Sequence, residues 1–104
     1  MADRIGKDAF EEKVLRSGRP VVVDFYSDSC MACKKLSPAL AQTEEALKGS
    51  VDFYKVNTVY EEELAEQYEI MALPTLVVFA GGEEKDRRTG AQKPQELTGW
   101  LKGF

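Results

Sequence analysis

The sequence predicts an α/β fold: a central mixed β-sheet of four to five strands flanked by four helices. Two observations lead there. Helix-period and strand-period segments alternate through the first half of the chain, and two strands joined by Gly81-Gly82, followed by a helix, close the second half. A third sets the scale. The 104 residues suit one hydrophobic core, and no repeat, low-complexity tract or linker-like shift divides them, so residues 1–104 are read as a single domain.

Taken in order, Asp3 to Ile5 offers a stub of an edge strand. Lys7 to Ser17 places Phe10, Val14 and Leu15 on one face of a first helix, with Gly18 and Pro20 ending it. Val21-Val22-Val23-Asp24-Phe25-Tyr26 is a β-branched and aromatic run with little alternation, the pattern of a central parallel strand covered on both faces. From Cys33 to Leu47, Leu36, Leu40, Ala41 and Leu47 keep helical spacing; Pro38 removes one backbone donor inside that helix and Gly49 closes it. Val51 to Val56 reads as a strand. Glu61 to Tyr68 is a short helix whose leading glutamates suit the macrodipole. Leu76-Val77-Val78-Phe79 is a strand, Gly81-Gly82 turns it into the polar strand Glu83 to Thr89, and Pro94 to Lys102 forms a last helix burying Leu97, Trp100 and Leu101.

Composition narrows the chemistry. An apolar fraction of 43% with 31% charged residues is that of an ordinary globular chain, outside the disordered range. A net charge of −4 and the lack of a basic stripe interleaved with aromatics argue against nucleic acid as a partner. The N-terminus shows no secretory apolar segment, and the longest apolar stretch, Ile70 to Ala80, is short and holds Pro74, so the expectation is a cytoplasmic protein without a membrane partner. With no histidine, the commonest general base and metal ligand is missing, which leaves thiols, carboxylates and lysines.

The two cysteines stand as Cys30-Met31-Ala32-Cys33, between the Val21 strand and the Leu36 helix. A thiol at a helix N-terminus faces unpaired amides and the positive end of the dipole, which favour the thiolate that attacks disulfides. Cys30 is therefore the candidate nucleophile. Cys33, one turn later, is placed to attack the mixed disulfide that Cys30 forms, releasing a reduced substrate and leaving a Cys30–Cys33 disulfide. A structural staple and half of a shared metal site are the other uses of such a pair. The staple would close a very short loop in a reducing compartment, and the metal site would lack a second pair of ligands.

A C-x-x-C in a strand–turn–helix unit is a known redox signature. The stretch Val22 to Lys34 resembles the active-site segment of thioredoxins, and Pro38, Lys55-Val56-Asn57, Ala72-Leu73-Pro74-Thr75, Gly82 and Gly90-Ala91 fall where that family carries similar residues. The likeness extends from about Lys7 to the C-terminus. It implies the thioredoxin fold and a protein-disulfide reductase and electron carrier without a bound cofactor. It also implies a monomer, disulfide-containing client proteins, and a reductase such as thioredoxin reductase as electron donor.

The resemblance gives further residues roles. Asp24 interrupts an apolar strand, where burial raises a carboxyl pKa; by sequence alone a satisfied strand-end Asp is the favoured reading, and the resemblance reverses it, since the family uses the matching Asp to handle the proton of the resolving thiol. Lys55 matches that Asp's neighbour, with an exposed strand lysine as the plain alternative. Pro74 taken alone is expected trans; the resemblance implies cis, packed opposite the dithiol, with the backbone of Leu73 pairing with an extended substrate. Met31, Ala32, Gly90 and Ala91 would line the same shallow groove, with turn chemistry the alternative for the last two. A redox-inert peptide-binding module and a metal or iron–sulfur scaffold are the competing functional readings.

The chain departs from the family at the site itself. The common order is Trp, Cys, Gly, Pro, Cys; here it is Ser29, Cys30, Met31, Ala32, Cys33. Losing Pro restores a backbone N–H near the thiolate, which predicts a less reducing potential, about 30 mV corresponding to 1.4 kcal/mol for a two-electron couple. Ser29 and Met31 change the apolar surface around the nucleophile. Trp100, the single tryptophan, is expected to report little on the redox state.

Overall fold

The computed structural model describes residues 2–104. Five strands form one mixed sheet: β1 (Asp3–Arg4), β2 (Val21–Tyr26), β3 (Asp52–Asn57), β4 (Thr75–Ala80) and β5 (Glu83–Thr89), in the spatial order β1-β3-β2-β4-β5. β1 and β2 run parallel to β3; β4 is antiparallel to β2 and β5 antiparallel to β4. The expected hairpin thus exists, and the weak stub at Asp3 is a true edge strand. Gly81 and Gly82 both turn at positive φ, 62° and 82°, a conformation that glycine adopts without steric cost.

Helices cover both faces. α1 (Lys7–Phe10) passes into a wider turn, Glu11–Leu15, in which the Arg16 amide donates to Glu11 O five residues back at 2.9 Å. The single regular helix expected from Lys7 to Ser17 is corrected accordingly. With α3 (Glu62–Gln67), this segment buries Phe10, Val14 and Leu64 against Val21, Val23, Phe25, Val56, Val77 and Phe79. α2 (Met31–Ala46) and α4 (Pro94–Leu101) bury Leu36, Leu40, Leu97, Trp100 and Leu101 against Val22, Phe53, Leu76 and Val78 on the opposite face. Strand periodicity explains the split of β2: alternate side chains point to alternate layers, and both layers are dry.

Two details of α2 differ from expectation. The helix starts at Met31 rather than Cys33, because Cys30 caps it: its sulfur accepts the Cys33 N–H at 3.1 Å, taking the place that a Ser or Asp oxygen usually fills. Ala41, counted with the inward face, is exposed. The buried line is Leu36, Leu40, Thr43 and Leu47, and the Thr43 hydroxyl is satisfied by donating to Ala39 O at 2.9 Å, four residues back.

Candidate functional site

The site gathers at the end of the sheet where β2 and β3 finish and β4 begins; Phe25 is in register with Thr75 and Tyr26 with Asn57. The chain leaves β2 through Ser27, Asp28 and Ser29 and enters α2 at the dithiol. Cys30 and Cys33 are joined as a disulfide with their Cα atoms 5.2 Å apart. The two sulfurs are in unequal positions. Cys30 is half-buried at the cap, whereas Cys33, in the first turn, is 7% exposed and faces the sheet. The amide that reaches the Cys30 sulfur is that of Cys33.

Asp24 lies beneath α2, 6% exposed, and its Oδ1 is buried without a hydrogen-bond partner. Burial pushes its carboxyl up from the ordinary 3.8 to about 6, against a smaller opposing pull from the Lys55 ammonium. Two adjoining clefts of about 290 and 260 Å³ meet at this carboxylate; Asp24, Lys34, Ser37 and Lys55 line both, and Cys33 lines the second. Asp24 therefore communicates with both the inner cysteine and solvent. Lys55 is in register with Asp24 across the β2–β3 pair, and its Nζ rests 4.8 Å from the centre of the Tyr26 ring. Tyr26 and Ser37 belong to this arrangement, and sequence reasoning gave neither a role; a tyrosine ending an apolar strand and a serine before a helical proline look like packing and solvation.

Pro74 is cis and buried. Gly90, at φ 83°, donates its amide to Pro74 O at 2.9 Å, which places Gly90 and Ala91 beside that proline, while Leu73 sits just before the β4 ladder starts. Met31 is 68% exposed, next to Cys30, and Ala32 is partly covered. The ten candidate residues thus fall into two groups joined through β2 and β4: the dithiol with Asp24 and Lys55, and the Pro74 turn with Gly90 and Ala91.

Asn57 was missed as well. It is fully buried, donates to Asp28 Oδ2 at 3.3 Å, and accepts the Val59 amide at 3.0 Å, so it ties the dithiol loop to the loop after β3. An amide side chain closing an apolar strand is the signal that could have found it. Among the described residues no group of three or more His, Cys, Asp or Glu is arranged to hold a metal ion, and no helix is long and apolar enough to cross a membrane.

Comparison with known proteins adds an independent line. The family model for thioredoxin matches residues 2–103. A thioredoxin of Rickettsia felis is 35% identical over 101 residues, covering 97% of this chain and 96% of the relative. One of Rickettsia bellii is 34% identical over the same span, and the chloroplastic thioredoxin Y1 of Arabidopsis thaliana is 37% identical over 90 residues, 86% of this chain and 52% of that protein.

Proposed function

The chain belongs to the thioredoxin family of thiol–disulfide oxidoreductases, and from that premise we propose that it reduces protein disulfides with Cys30 as attacking nucleophile and Cys33 as resolving thiol. The observation that carries this assignment is the unequal setting of the two sulfurs, one capping α2 toward solvent and the other buried beside Asp24.

The Cys30 thiolate attacks one sulfur of the client disulfide, an S–S bond forms between them, and the other client sulfur leaves as a thiolate that takes a proton from water. Asp24 accepts the Cys33 proton. The Cys33 thiolate then attacks the Cys30 sulfur, forming the Cys30–Cys33 disulfide and expelling the second client thiolate. Two electrons pass to the client, and a reductase such as thioredoxin reductase returns two to the pair. Lys55 keeps Asp24 acidic enough to release its proton to the cleft. Leu73 backbone, Pro74, Gly90, Ala91, Met31 and Ala32 form the groove that holds the client in extended form. Residues 1–104 act as one domain, as a monomer, in the cytoplasm.

Trapping with Cys33→Ser tests the assignment. Client proteins are expected to remain joined to Cys30 and to be freed by dithiothreitol. Recovery of no mixed disulfide, together with a wild type unable to reduce a protein disulfide, overturns it.

A further inference from the structure

Four of the five large apolar side chains left exposed among the described residues, Met31, Val59, Tyr60 and Met71, stand at the dithiol end of the sheet. Met71 is 92% exposed, three residues ahead of Pro74. It borders an open groove of about 660 Å³ lined by the apolar residues Ala65, Ile70 and Met71 together with Glu62, Glu66 and Glu69. Thr58 closes the groove on the side of the dithiol loop, since its amide and hydroxyl both donate to Tyr26 O, at 2.9 and 3.1 Å. Apolar side chains left open to water mark a surface that gains by being covered.

The three glutamates say what covers it. Glu62 and Glu66 join no ion pair among the described residues. Glu69 lies within electrostatic reach of Arg87, but Glu84 already holds that guanidinium with both oxygens, at 2.6 and 2.7 Å. Three carboxylates along an apolar trough complement a cationic, partly apolar strand of polypeptide. A second copy of this chain, with net charge −4, is a poor occupant.

We propose that this groove docks the segment of a client polypeptide flanking its disulfide, and selects segments that carry Lys or Arg beside an apolar residue. The inference rests on the reductase reading above and names its substrate class. A client held at Pro74 continues past Met71 into the groove, so charge recognition and disulfide exchange engage the same chain.

The test uses two synthetic disulfide peptides, identical except that Lys and Leu flank the disulfide in one and Glu and Leu in the other, with uncharged 2-hydroxyethyl disulfide as a third substrate. At low ionic strength kcat/KM is expected to favour the Lys peptide by about tenfold, and at about 0.5 M salt the preference is expected to shrink to about twofold or less. Glu62→Lys/Glu66→Lys is expected to abolish or reverse the ratio, which is internally normalised for any loss of active protein; Glu66→Gln, a milder change, is expected to reduce it. Equal rates for the two peptides in wild type, or a ratio unmoved by either variant, overturns the inference while reduction of the small disulfide leaves the reductase reading standing. Failure to reduce all three substrates overturns that reading, and this inference with it. Concentration-dependent dimerisation that Glu62→Lys/Glu66→Lys abolishes assigns the groove to a second copy and overturns client docking.

Discussion

Asp24 and Lys55 face each other in register on adjacent parallel strands, yet no hydrogen bond or ion pair joins them among the described residues; the lysine ammonium lies over the Tyr26 ring instead. The carboxylate is left buried and unpaired beside Cys33, with a cation near enough to temper it and too far to neutralise it.

That arrangement makes stability depend on pH. Asp24 titrates near 3.8 unfolded and about 6 folded, so between those values the folded state holds a proton the unfolded state has lost. Stability relative to Asp24→Asn is therefore fully present below about pH 4 and falls as pH rises through about 6, by on the order of 3 kcal/mol in total. Urea unfolding of both proteins at pH 4 and pH 8 measures it. A difference that stays flat across that range rules the buried titration out.

Lys55 pulls the Asp24 carboxyl downward. Lys55→Gln is accordingly expected to move the Asp24 midpoint above 6, read by NMR titration of the carboxyl carbon, and to shift the pH profile of disulfide reduction in the same direction. Tyr26→Phe keeps an aromatic face under the ammonium and is expected to leave the midpoint in place, whereas Tyr26→Leu is not.

Ala32 supplies a backbone amide in the first turn of α2 that a proline would lack. Ala32→Pro is expected to lower the reduction potential by about 30 mV, the worth of one charge-assisted hydrogen bond to the thiolate. Equilibration with a dithiothreitol or glutathione buffer reads the value; an unchanged or higher potential shows that the Cys33 amide, the one seen at the sulfur, provides the stabilisation by itself.

Gly90 combines φ 83° with the hydrogen bond to Pro74 O. An added Cβ meets no atom within 4 Å, so the cost of Gly90→Ala is conformational, about 1 kcal/mol of unfolding free energy. Denaturant unfolding checks the stability, and a raised KM for protein disulfides tests the place proposed for this turn in a client groove.

Trp100 donates to Asp86 Oδ2 at 2.9 Å and stacks under the Arg88 guanidinium at 4.7 Å. Asp86 pairs with Val78 and Val78 with Val22, which lies four residues before Tyr26, roughly 13 Å from the dithiol end at the rise of a strand. Reduction is expected to leave tryptophan fluorescence nearly unchanged, while Arg88→Ala alters it. A strong redox-dependent change would place Trp100 closer to the dithiol than this register allows.

Much of the molecule was legible in the residues themselves. The apolar run at Val21, the polar strand after Gly81-Gly82 and the apolar face of the last helix specify their elements because burial and turn chemistry are local properties of composition and spacing. The Cys30-Met31-Ala32-Cys33 signature was legible for the same reason: its chemistry needs only two thiols and a helix start. Boundaries set by side-chain capping were not. The cap made by the Cys30 sulfur, the wide turn after Phe10 and the inward Thr43 each depend on one hydrogen bond that periodicity does not record.

The sequence by itself determined that this chain carries a redox pair on an α/β scaffold. Only the tertiary structure decided which groups surround that pair. Asp24 and Lys55 are 31 positions apart in the chain, Pro74 and Gly90 are 16 apart, and Asn57 reaches back 29 to Asp28; strand register and helix packing bring them together. A side chain's type is a local property, but its burial, its electrostatic neighbours and the groove it borders are set by segments distant in sequence, and those are what give Asp24 its raised pKa and Met71 its place on a groove lined by glutamates.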